Sequence, residues 1–404
     1  MTDSPSETSN SNSNNNVNVV SDIPFEIVSE EEMAIFDAAL AFASRSSLSL
    51  ASSSSSSLLH GHASSVGPVS VLSKRRLSGC SQTSPVREIE DSGPQCQGSP
   101  NKKKGRLTDS LLHRFRRRRG LSVTDITASE WCEKQMEFSL LLGKPESTKA
   151  MKAGSIRHAK LEEEVVKKVA ISVETLEDIW AVKFMNFIVG VNQLMFDGLT
   201  RELPLVGFVE GVWMVGVTDE VRMPLTGTVR NPILVDTKTR AQATLPSEPQ
   251  CRNGRIQLMC YKHLWDSLAA EKFPSSLFFD FYSLNPHHIL LEEIRDNTAK
   301  SGFPAKTLDD LVRYFRNTCS MLPPANEKLL LRYELQEDNS LLGEDEFDFD
   351  LVWLKSRIQS SLEFWKGERE ATYTPQEERW KCRYCKFASV CPSNTNTNSA
   401  SPQR

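Results

Sequence analysis

Three cysteines near the carboxyl end of the chain constrain the fold more than any other feature of the sequence. Cys382, Cys385 and Cys391 follow a C-x2-C-x5-C pattern, and three thiolates at such a spacing can bind one metal centre. A fourth ligand must come from elsewhere in the chain. Cys132 lies 250 positions before Cys382 and is the candidate, because it belongs to the first predicted helix of the ordered region. Such a centre would tie together the two ends of one domain.

The type of this centre stays open on cysteine spacing alone. Structural zinc sites commonly use two C-x2–4-C pairs, whereas a three-plus-one split also fits a [4Fe–4S] cluster held by four thiolates. Nine cysteines, an odd number and unevenly placed, argue against an extracellular disulfide framework. Two of the other cysteines lie in a low-complexity region, and three lie in segments predicted to be buried as free thiols: Cys80 and Cys96, then Cys251, Cys260 and Cys319.

Residues 1–120 are predicted to be disordered, because Ser- and Asn-rich tracts bury too little apolar surface to offset the entropy of ordering. Between Lys74 and Arg119 there are 13 basic residues against four acidic ones. Such runs are either a solvated linker or a segment for nuclear targeting or phosphate contact. We expect one ordered domain over 121–392 and a disordered tail over 393–404.

Apolar patterning and charge favour an intracellular protein without a membrane span. The chain has 404 residues, a formal net charge of −4 and 39% hydrophobic residues. We find no apolar run of the ~18–20 residues that a membrane span needs, and the longest candidate, Leu203–Val217, is interrupted by Pro and Gly. Residues 1–16 are polar, so we expect no secretory signal.

Hydrophobic periodicity predicts an α/β domain with a central mixed sheet flanked by helices. Thr127–Glu130 has capping-box spacing, which predicts the start of the first helix, and the aromatic-rich run Leu277–Leu284 is typical of a strand. The other predicted helices cover 155–170, 176–187, 255–270 and 349–369, and the other predicted strands cover 203–209, 212–223, 232–239 and 329–335.

Two carboxylates and one lysine are predicted to meet at the sheet. Asp236 and Lys238 are two apart on one strand, so their side chains share a face. The strand that ends at Asp219 is predicted to pair antiparallel with this strand, which would bring Asp219 beside Asp236. Carboxylates are ligands that Mg²⁺ prefers, and a bound metal makes water more acidic and stabilises charge on phosphate. The alternative is a surface strand with a salt bridge, since Asp-x-Lys is common.

Two helices carry further candidate site residues. Gln257 and Tyr261 lie four apart, hence on one helix face, from which they could donate hydrogen bonds to a DNA backbone; Tyr261 could equally be a core residue. His158 and Glu162 also share a helix face. An imidazole there could be a further metal ligand, although a lone histidine is more often structural.

Taken in order, these residues resemble the motif series of RecB-family nucleases in the PD-(D/E)XK superfamily. The matching motifs are Gly-x-x-x-His-x-x-x-Glu at 154–162, Gly-x-x-Asp at 216–219, Asp-x-Lys at 236–238 and Gln-x-x-x-Tyr at 257–261. We find no GxxxxGK[ST] motif, so we expect a stand-alone nuclease without a helicase motor.

Relatives in this superfamily that contain an iron–sulfur clasp carry one Cys before the His motif and three after Gln-x-x-x-Tyr, as this chain does. Within that group, Leu121–Ile126 and Ser129–Glu133 are similar to the eukaryotic exonuclease V (Dem1) family, over roughly 115–392. The resemblance implies a RecB-like core and particular ligands and catalytic residues. They are Asp219, Asp236, Lys238, Gln257 and Tyr261 in catalysis, Asp219, Asp236 and His158 for Mg²⁺, and Cys132, Cys382, Cys385 and Cys391 for a [4Fe–4S] cluster.

The function that this resemblance implies is a Mg²⁺-dependent single-stranded-DNA exonuclease, acting in DNA repair or genome maintenance. The alternative is a non-catalytic nucleic-acid-binding protein with a zinc or iron–sulfur module. We expect a monomer that binds single-stranded DNA, possesses no membrane partner and could act with a single-strand-binding protein. The expected location is the nucleus or a DNA-containing organelle, either the chloroplast or the mitochondrion. Bases and aromatics alternate around the cysteines, at Trp380, Lys381, Arg383, Tyr384, Lys386 and Phe387, and would either contact a single strand or pack around the cluster.

Overall fold

The computed structural model describes residues 110–166, 171–224 and 230–393. The predicted disorder of 1–109 and 394–404 therefore lies outside the described residues. The described residues begin at Ser110, before the predicted start of the domain at residue 121, and they include a short helix, α1 (Leu111–Arg116), ahead of the first strand. The Nε atom of Arg116 lies 2.8 Å from Oδ2 of Asp125, and this ion pair fixes part of the basic run to the domain.

The centre of the domain is a six-stranded mixed sheet, as predicted. Strand β3 pairs antiparallel with β2 along one edge; along the other edge it pairs parallel with β1 and antiparallel with β4. Strand β4 pairs parallel with β5, and β5 antiparallel with β6. The strands are β1 (Leu121–Ser122), β2 (Leu199–Val209), β3 (Val212–Arg222), β4 (Ile233–Arg240), β5 (Lys328–Leu335) and β6 (Leu341–Asp348).

Nine further helices and one 3₁₀ helix surround this sheet in the described residues. They are α2 (Val123–Trp131), α3 (Glu133–Leu142), α4 (Lys149–Glu163), α5 (Leu176–Asp197), α6 (Glu248–Ala269), α7 (Ser275–Tyr282), α8 (Glu292–Lys300), α9 (Leu308–Ser320), α10 (Leu351–Lys366) and the 3₁₀ helix Gln376–Tyr384. Helices α8 and α9 and strand β6 were not predicted.

The first predicted helix is in fact two helices that meet at Cys132. The capping box is formed by Ser122 and Asp125, five residues before the predicted one at Thr127 and Glu130. Cys132 has an extended backbone, with φ −171° and ψ 110°, between the end of α2 and the start of α3. The break places this cysteine at a helix junction, whereas an unbroken helix would hold it on a helix face.

The prediction of a strand over Leu277–Leu284 was wrong, because this segment forms helix α7. Its aromatic residues favour a strand by intrinsic propensity. Phe278 and Tyr282 are four apart, however, and both are buried against Trp180 of α5, with ring centroids 4.9 Å and 4.5 Å from it. Tertiary packing of this helical face overrides the local preference.

Helix α5 is the one described helix whose length and composition would suit a membrane span, with 22 residues and a mean hydropathy of 1.3. Most of its apolar side chains between Trp180 and Leu194 pack inside the domain. The rings of Phe184 and Phe187 each lie 4.7 Å from that of Phe315 in α9, as in a core helix of a globular fold.

Removal of residues 1–109 should change the nuclease activity expected from the sequence by less than about twofold, because every candidate site residue lies after residue 131. The measurement is the cleavage rate of the truncated and full-length proteins on the same oligonucleotide, with thermal melting as a check on folding. A truncated protein that fails to fold would show that the domain extends before residue 110.

Candidate active site and cysteine cleft

Strands β3 and β4 bring the two predicted carboxylates together. Their antiparallel register pairs Glu220 with Val235, so the next positions, Asp219 and Asp236, lie opposite each other. The backbone N–H of Thr237 donates a 3.0 Å hydrogen bond to Oδ2 of Asp219. The predicted pairing is therefore confirmed, and it results from the short antiparallel contact between the two strands.

Asp236 is a buried carboxylate with one cationic neighbour and no well-directed hydrogen bond from the described residues. It is 0% exposed, and its Oδ2 atom lies 2.9 Å from Nζ of Lys238. Neither oxygen receives a well-directed hydrogen bond from the described residues. Burial, followed by the charge of Asp219, raises the pKa of Asp236 to about 8. A divalent cation beside both carboxylates would offset this penalty.

Lys238 is held by the helix that carries the Gln-x-x-x-Tyr motif. Its Nζ atom donates to Oε1 of Gln257 at 2.8 Å, and Nε2 of Gln257 donates to the hydroxyl oxygen of Tyr261 at 3.3 Å. The Lys238 side chain is 36% exposed, so its ammonium group can reach a substrate.

Tyr261 does not contact solvent, so the predicted hydrogen bond from this residue to DNA is corrected. Its exposed fraction is 0%, because its ring packs in the core between α6 and β3. Tyr261 positions Gln257, which in turn holds Lys238. Gln257 is itself buried, so this face of α6 orients the lysine from behind.

His158 of α4 reaches the same carboxylates from another element. Its Nε2 atom donates to the carbonyl oxygen of Thr237 at 3.0 Å, and its Nδ1 atom lies 3.4 Å from Oε1 of Glu202 and 3.6 Å from Oδ2 of Asp219. The negative charge of Asp219 raises the pKa of His158 to about 10. The hydrogen bond and charge of Glu202 also raise this pKa, whereas burial lowers it.

Sequence reasoning missed Glu202, which lies in β2. One ligand atom each from His158, Glu202 and Asp219 lie within 4.8 Å of one another. A glutamate inside a strand that is otherwise mostly apolar was the available signal. Carboxylate oxygens and one imidazole nitrogen suit Mg²⁺ or Mn²⁺, so the residues present fit a divalent metal.

The four predicted cysteine ligands line one cleft between the α2–α3 junction and the 3₁₀ helix. All four are free thiols. Burial, followed by the neighbouring thiols, raises the pKa of Cys382 and contributes to the raised pKa of Cys385. Four thiols that share one cleft fit a metal centre that is held by thiolates.

The residues on both sides of Cys132 contact the last segment of the domain, through an ion pair at Glu133 and a cation–π contact at Trp131. The guanidinium of Arg369 binds the carboxylate of Glu133 through two nitrogens, and Thr372 donates two hydrogen bonds to the same carboxylate. On the other side, Nζ of Lys381 lies 4.2 Å from the ring centroid of Trp131. These contacts join the last segment of the domain to its first helices.

The prediction that Lys381 holds a DNA strand is corrected by this arrangement. Lys381 is 4% exposed and donates to Glu378, which also accepts from Arg252 of α6 at 2.7 Å. Trp380 packs edge-on against Trp131, and Phe387 is buried. Of the aromatic residues in this segment, Tyr384 is the exposed one, at 79%.

Comparison with known proteins decides the family. The family model described as "Exonuclease V - a 5' deoxyribonuclease" matches residues 110–228, 226–310 and 299–392. The chain belongs to the exonuclease V family. The chain is also 30% identical over 333 residues to Exonuclease V of Danio rerio, which covers 80% of this chain and 82% of the relative.

Other relatives match shorter stretches of this exonuclease V family member. "Exonuclease V, mitochondrial" of Candida dubliniensis is 34% identical over 61 residues, 15% of this chain and 10% of the relative. A crystal structure from Eubacterium rectale covers 76% of this chain and 97% of its own, with 11% identity and a TM-score of 0.29, which is too low to support an argument. Membership in the family makes the protein a nuclease that acts on nucleic acid, and the cluster at β3 and β4 is its candidate active site.

Gly216→Ala should disturb this site from within the core. A Cβ atom at residue 216 would lie 2.6 Å from Cε1 of Tyr261 and 3.0 Å from Cγ2 of Val123. Displacement of Tyr261 would move Gln257 away from Lys238, so we expect a loss of about 1–3 kcal/mol in stability and of about 10- to 100-fold in cleavage rate. Thermal melting and single-turnover cleavage measure the two effects.

Gly254→Ala is the matched control, because it changes a glycine on the same helix as Tyr261. A Cβ atom there meets the flexible side chain of Leu331 at 3.1 Å, which can shift. Gly254→Ala should keep its activity, and wild-type behaviour of Gly216→Ala would contradict the proposed role of Tyr261.

Proposed function

We propose that this nuclease is a metal-dependent exonuclease of single-stranded DNA with a PD-(D/E)XK (RecB-like) core. The observation that carries the proposal is the buried carboxylate of Asp236, placed opposite Asp219 and 2.9 Å from Lys238 Nζ. A binding protein gains nothing from such a costly group, whereas a hydrolase needs it. The family description as a 5' deoxyribonuclease supports DNA as the substrate.

Asp219, Asp236 and His158 are the residues that would hold the metal. A bound Mg²⁺ would make a water molecule more acidic and stabilise negative charge on the phosphate. Lys238 supplies a positive charge that can bind a phosphate oxygen or orient the attacking water. Gln257 accepts a hydrogen bond from this lysine and so holds the ammonium group of Lys238 toward the DNA strand. Tyr261 contributes only by positioning Gln257.

The test is the release of nucleotides from end-labelled single-stranded DNA with Mg²⁺ and with a chelator. A 5′ label and a 3′ label on the same oligonucleotide distinguish the two directions of digestion. The matched duplex and the RNA of the same sequence test strand and sugar specificity. Cleavage that needs Mg²⁺ and prefers the single DNA strand supports the proposal. Tight binding without cleavage would favour the alternative, a non-catalytic nucleic-acid-binding protein.

We also propose that the cysteine cleft holds a [4Fe–4S] cluster through Cys132, Cys382, Cys385 and Cys391. The shared cleft of the four thiols and the three-plus-one distribution of the cysteines along the chain support this centre. Protein purified without oxygen should show a broad absorption band in the near-visible range and bound iron; bound zinc without this band would contradict the proposal.

The remaining proposals concern the role of the protein in the cell, its oligomeric state and its location. We propose a role in DNA repair or genome maintenance, as a monomer that could act beside a single-strand-binding protein. A DNA-containing organelle is the proposed location, because two Candida relatives are named mitochondrial; these names lend no support to the nuclear or chloroplast alternatives. Microscopy of a fluorescent fusion of the full chain, with organelle and nuclear markers, tests the location.

A further inference from the structure

Glu202 has an unusual backbone for a residue in the middle of a strand. Its φ angle is +48°, a left-handed backbone conformation that residues other than glycine adopt rarely. Strand β2 pairs Arg201 with Glu220 and Leu203 with Thr218, so the register places Glu202 opposite Asp219. Strain of this kind persists where the surrounding structure requires a side chain in one place.

The side chain of Glu202 is buried and faces the imidazole of His158. Its Oε1 atom lies 3.4 Å from Nδ1 of His158. The other ring nitrogen, Nε2, lies 3.0 Å from the carbonyl oxygen of Thr237, the residue between Asp236 and Lys238. The ring is thus held from both sides, with Nε2 nearest to the Asp-x-Lys strand.

We propose that Glu202 is a positioning residue of the active site: it accepts the Nδ1–H of His158, so that Nε2 is the nitrogen that binds the metal, in exchange for the proton that this nitrogen donates to the Thr237 carbonyl in the metal-free chain. Histidines that bind metals usually donate their other N–H to a carboxylate or carbonyl group, which fixes the tautomer and the ring orientation. The inference rests on the proposed metal-dependent function.

A neighbouring glutamate, Glu220, differs from Glu202 in the groups that balance its negative charge. The Nε atom of Arg201 lies 3.0 Å from Oε2 of Glu220 in β3, and Nη1 of Arg222 lies 3.8 Å from Oε1. The negative charge of Glu220 is therefore balanced by arginines. Glu202 instead faces a histidine within the set of candidate metal ligands. Glu220→Gln is therefore a matched control, with the same chemical change at similar burial on the adjacent strand.

The experiment measures binding of Mn²⁺ to the full-length chain without DNA, by electron paramagnetic resonance of free Mn²⁺. Glu202→Gln should weaken binding by about tenfold or more, the effect typical of lost partners of metal ligands. Glu220→Gln should bind as the wild type does. In cleavage assays, the Mn²⁺ concentration for half-maximal rate should rise for Glu202→Gln while the rate at saturating Mn²⁺ falls much less, which a merely structural defect would not produce.

A double-mutant cycle with His158→Ala tests whether Glu202 acts through the histidine. If it does, adding Glu202→Gln to His158→Ala should weaken Mn²⁺ binding no further. A further loss of tenfold or more would show that Glu202 binds the metal directly and would overturn the inference, as would wild-type affinity in the single variant Glu202→Gln. If Glu202→Gln does not fold, Glu202→Asp, which keeps the charge but withdraws it from the ring, takes its place with the same expected direction.

Failure of the proposed function gives a different result. A wild-type chain that binds no Mn²⁺ and cleaves DNA in the presence of chelator would refute metal dependence, and with it this inference. A wild-type chain that binds Mn²⁺, with Glu202→Gln unchanged, would refute the inference alone.

Discussion

Asp236→Asn should lower the rate of DNA cleavage by about 10³-fold, since Asp236 is a proposed metal ligand and the loss of such a ligand removes several kcal/mol of stabilisation from the transition state. The fold should survive, because the amide has nearly the same shape and the carboxylate receives no well-directed hydrogen bond from the described residues. The measurement is single-turnover cleavage of labelled single-stranded DNA at saturating Mg²⁺.

In the absence of metal, the same variant should be more stable than the wild type. Burial and Asp219 raise the pKa of Asp236 to about 8 from 3.8, so between these values the folded chain keeps a proton that the unfolded chain has released. This group therefore lowers the stability of the wild type as pH rises from about 4 to 8. Asparagine removes that loss, so in chelator the melting temperature of Asp236→Asn should exceed that of the wild type by a margin that grows over this range.

Asp348→Asn serves as the control for both effects. Asp348 belongs to β6 in the same sheet, but its side chain is 74% exposed and pairs with Lys328 at the surface. It should retain cleavage and show little change in melting temperature. Near wild-type cleavage by Asp236→Asn would mean that the active site has been assigned to the wrong residues.

Cys132→Ser should remove the proposed metal centre and destabilise the domain strongly. A centre bound to Cys132 and Cys382 closes a loop of 250 positions, and chain-entropy arguments give about 5 kcal/mol for a cross-link of that size. For a domain of this length we expect a fall of about 10 °C in melting temperature. Iron content, the visible absorption spectrum and calorimetry measure the loss.

Activity of Cys132→Ser should fall as well, although this residue lies outside the carboxylate cluster. The cleft packs against α6 through the contact between Glu378 and Arg252, and α6 carries Gln257, which holds Lys238. Cys251→Ser and Cys319→Ser are the controls, since neither residue lines the cleft, and both should keep the iron. Full iron content in Cys132→Ser with loss in a control would show that the fourth ligand is misassigned.

Several parts of the site could be predicted from the sequence because they depend on short-range geometry. The alternation of a strand places Asp236 and Lys238 on one face, and the antiparallel pairing of two consecutive strands aligns Asp219 with Asp236. The helical spacing of four residues places Gln257 over Tyr261. The four cysteines were also recognised by their spacing and order along the chain, and they do line one cleft.

Other features depend on contacts between distant segments, and the sequence could not predict them. The helix at 275–282 forms because its aromatic face meets α5, against its local preference for a strand. Lys381 is buried because Glu378 and Trp131 surround its ammonium group, although its neighbours in sequence suggested a surface for DNA.

The sequence by itself determined the α/β class, the order of the motifs and the identity of the residues opposite each other at β3 and β4, since periodicity and strand pairing are local properties of the chain. Only the tertiary structure decided that Tyr261 orients Gln257 from the core and that Glu202 faces His158. These roles arise where elements far apart in the chain come together, and the packing of several elements, which no local pattern encodes, determines the distances between them.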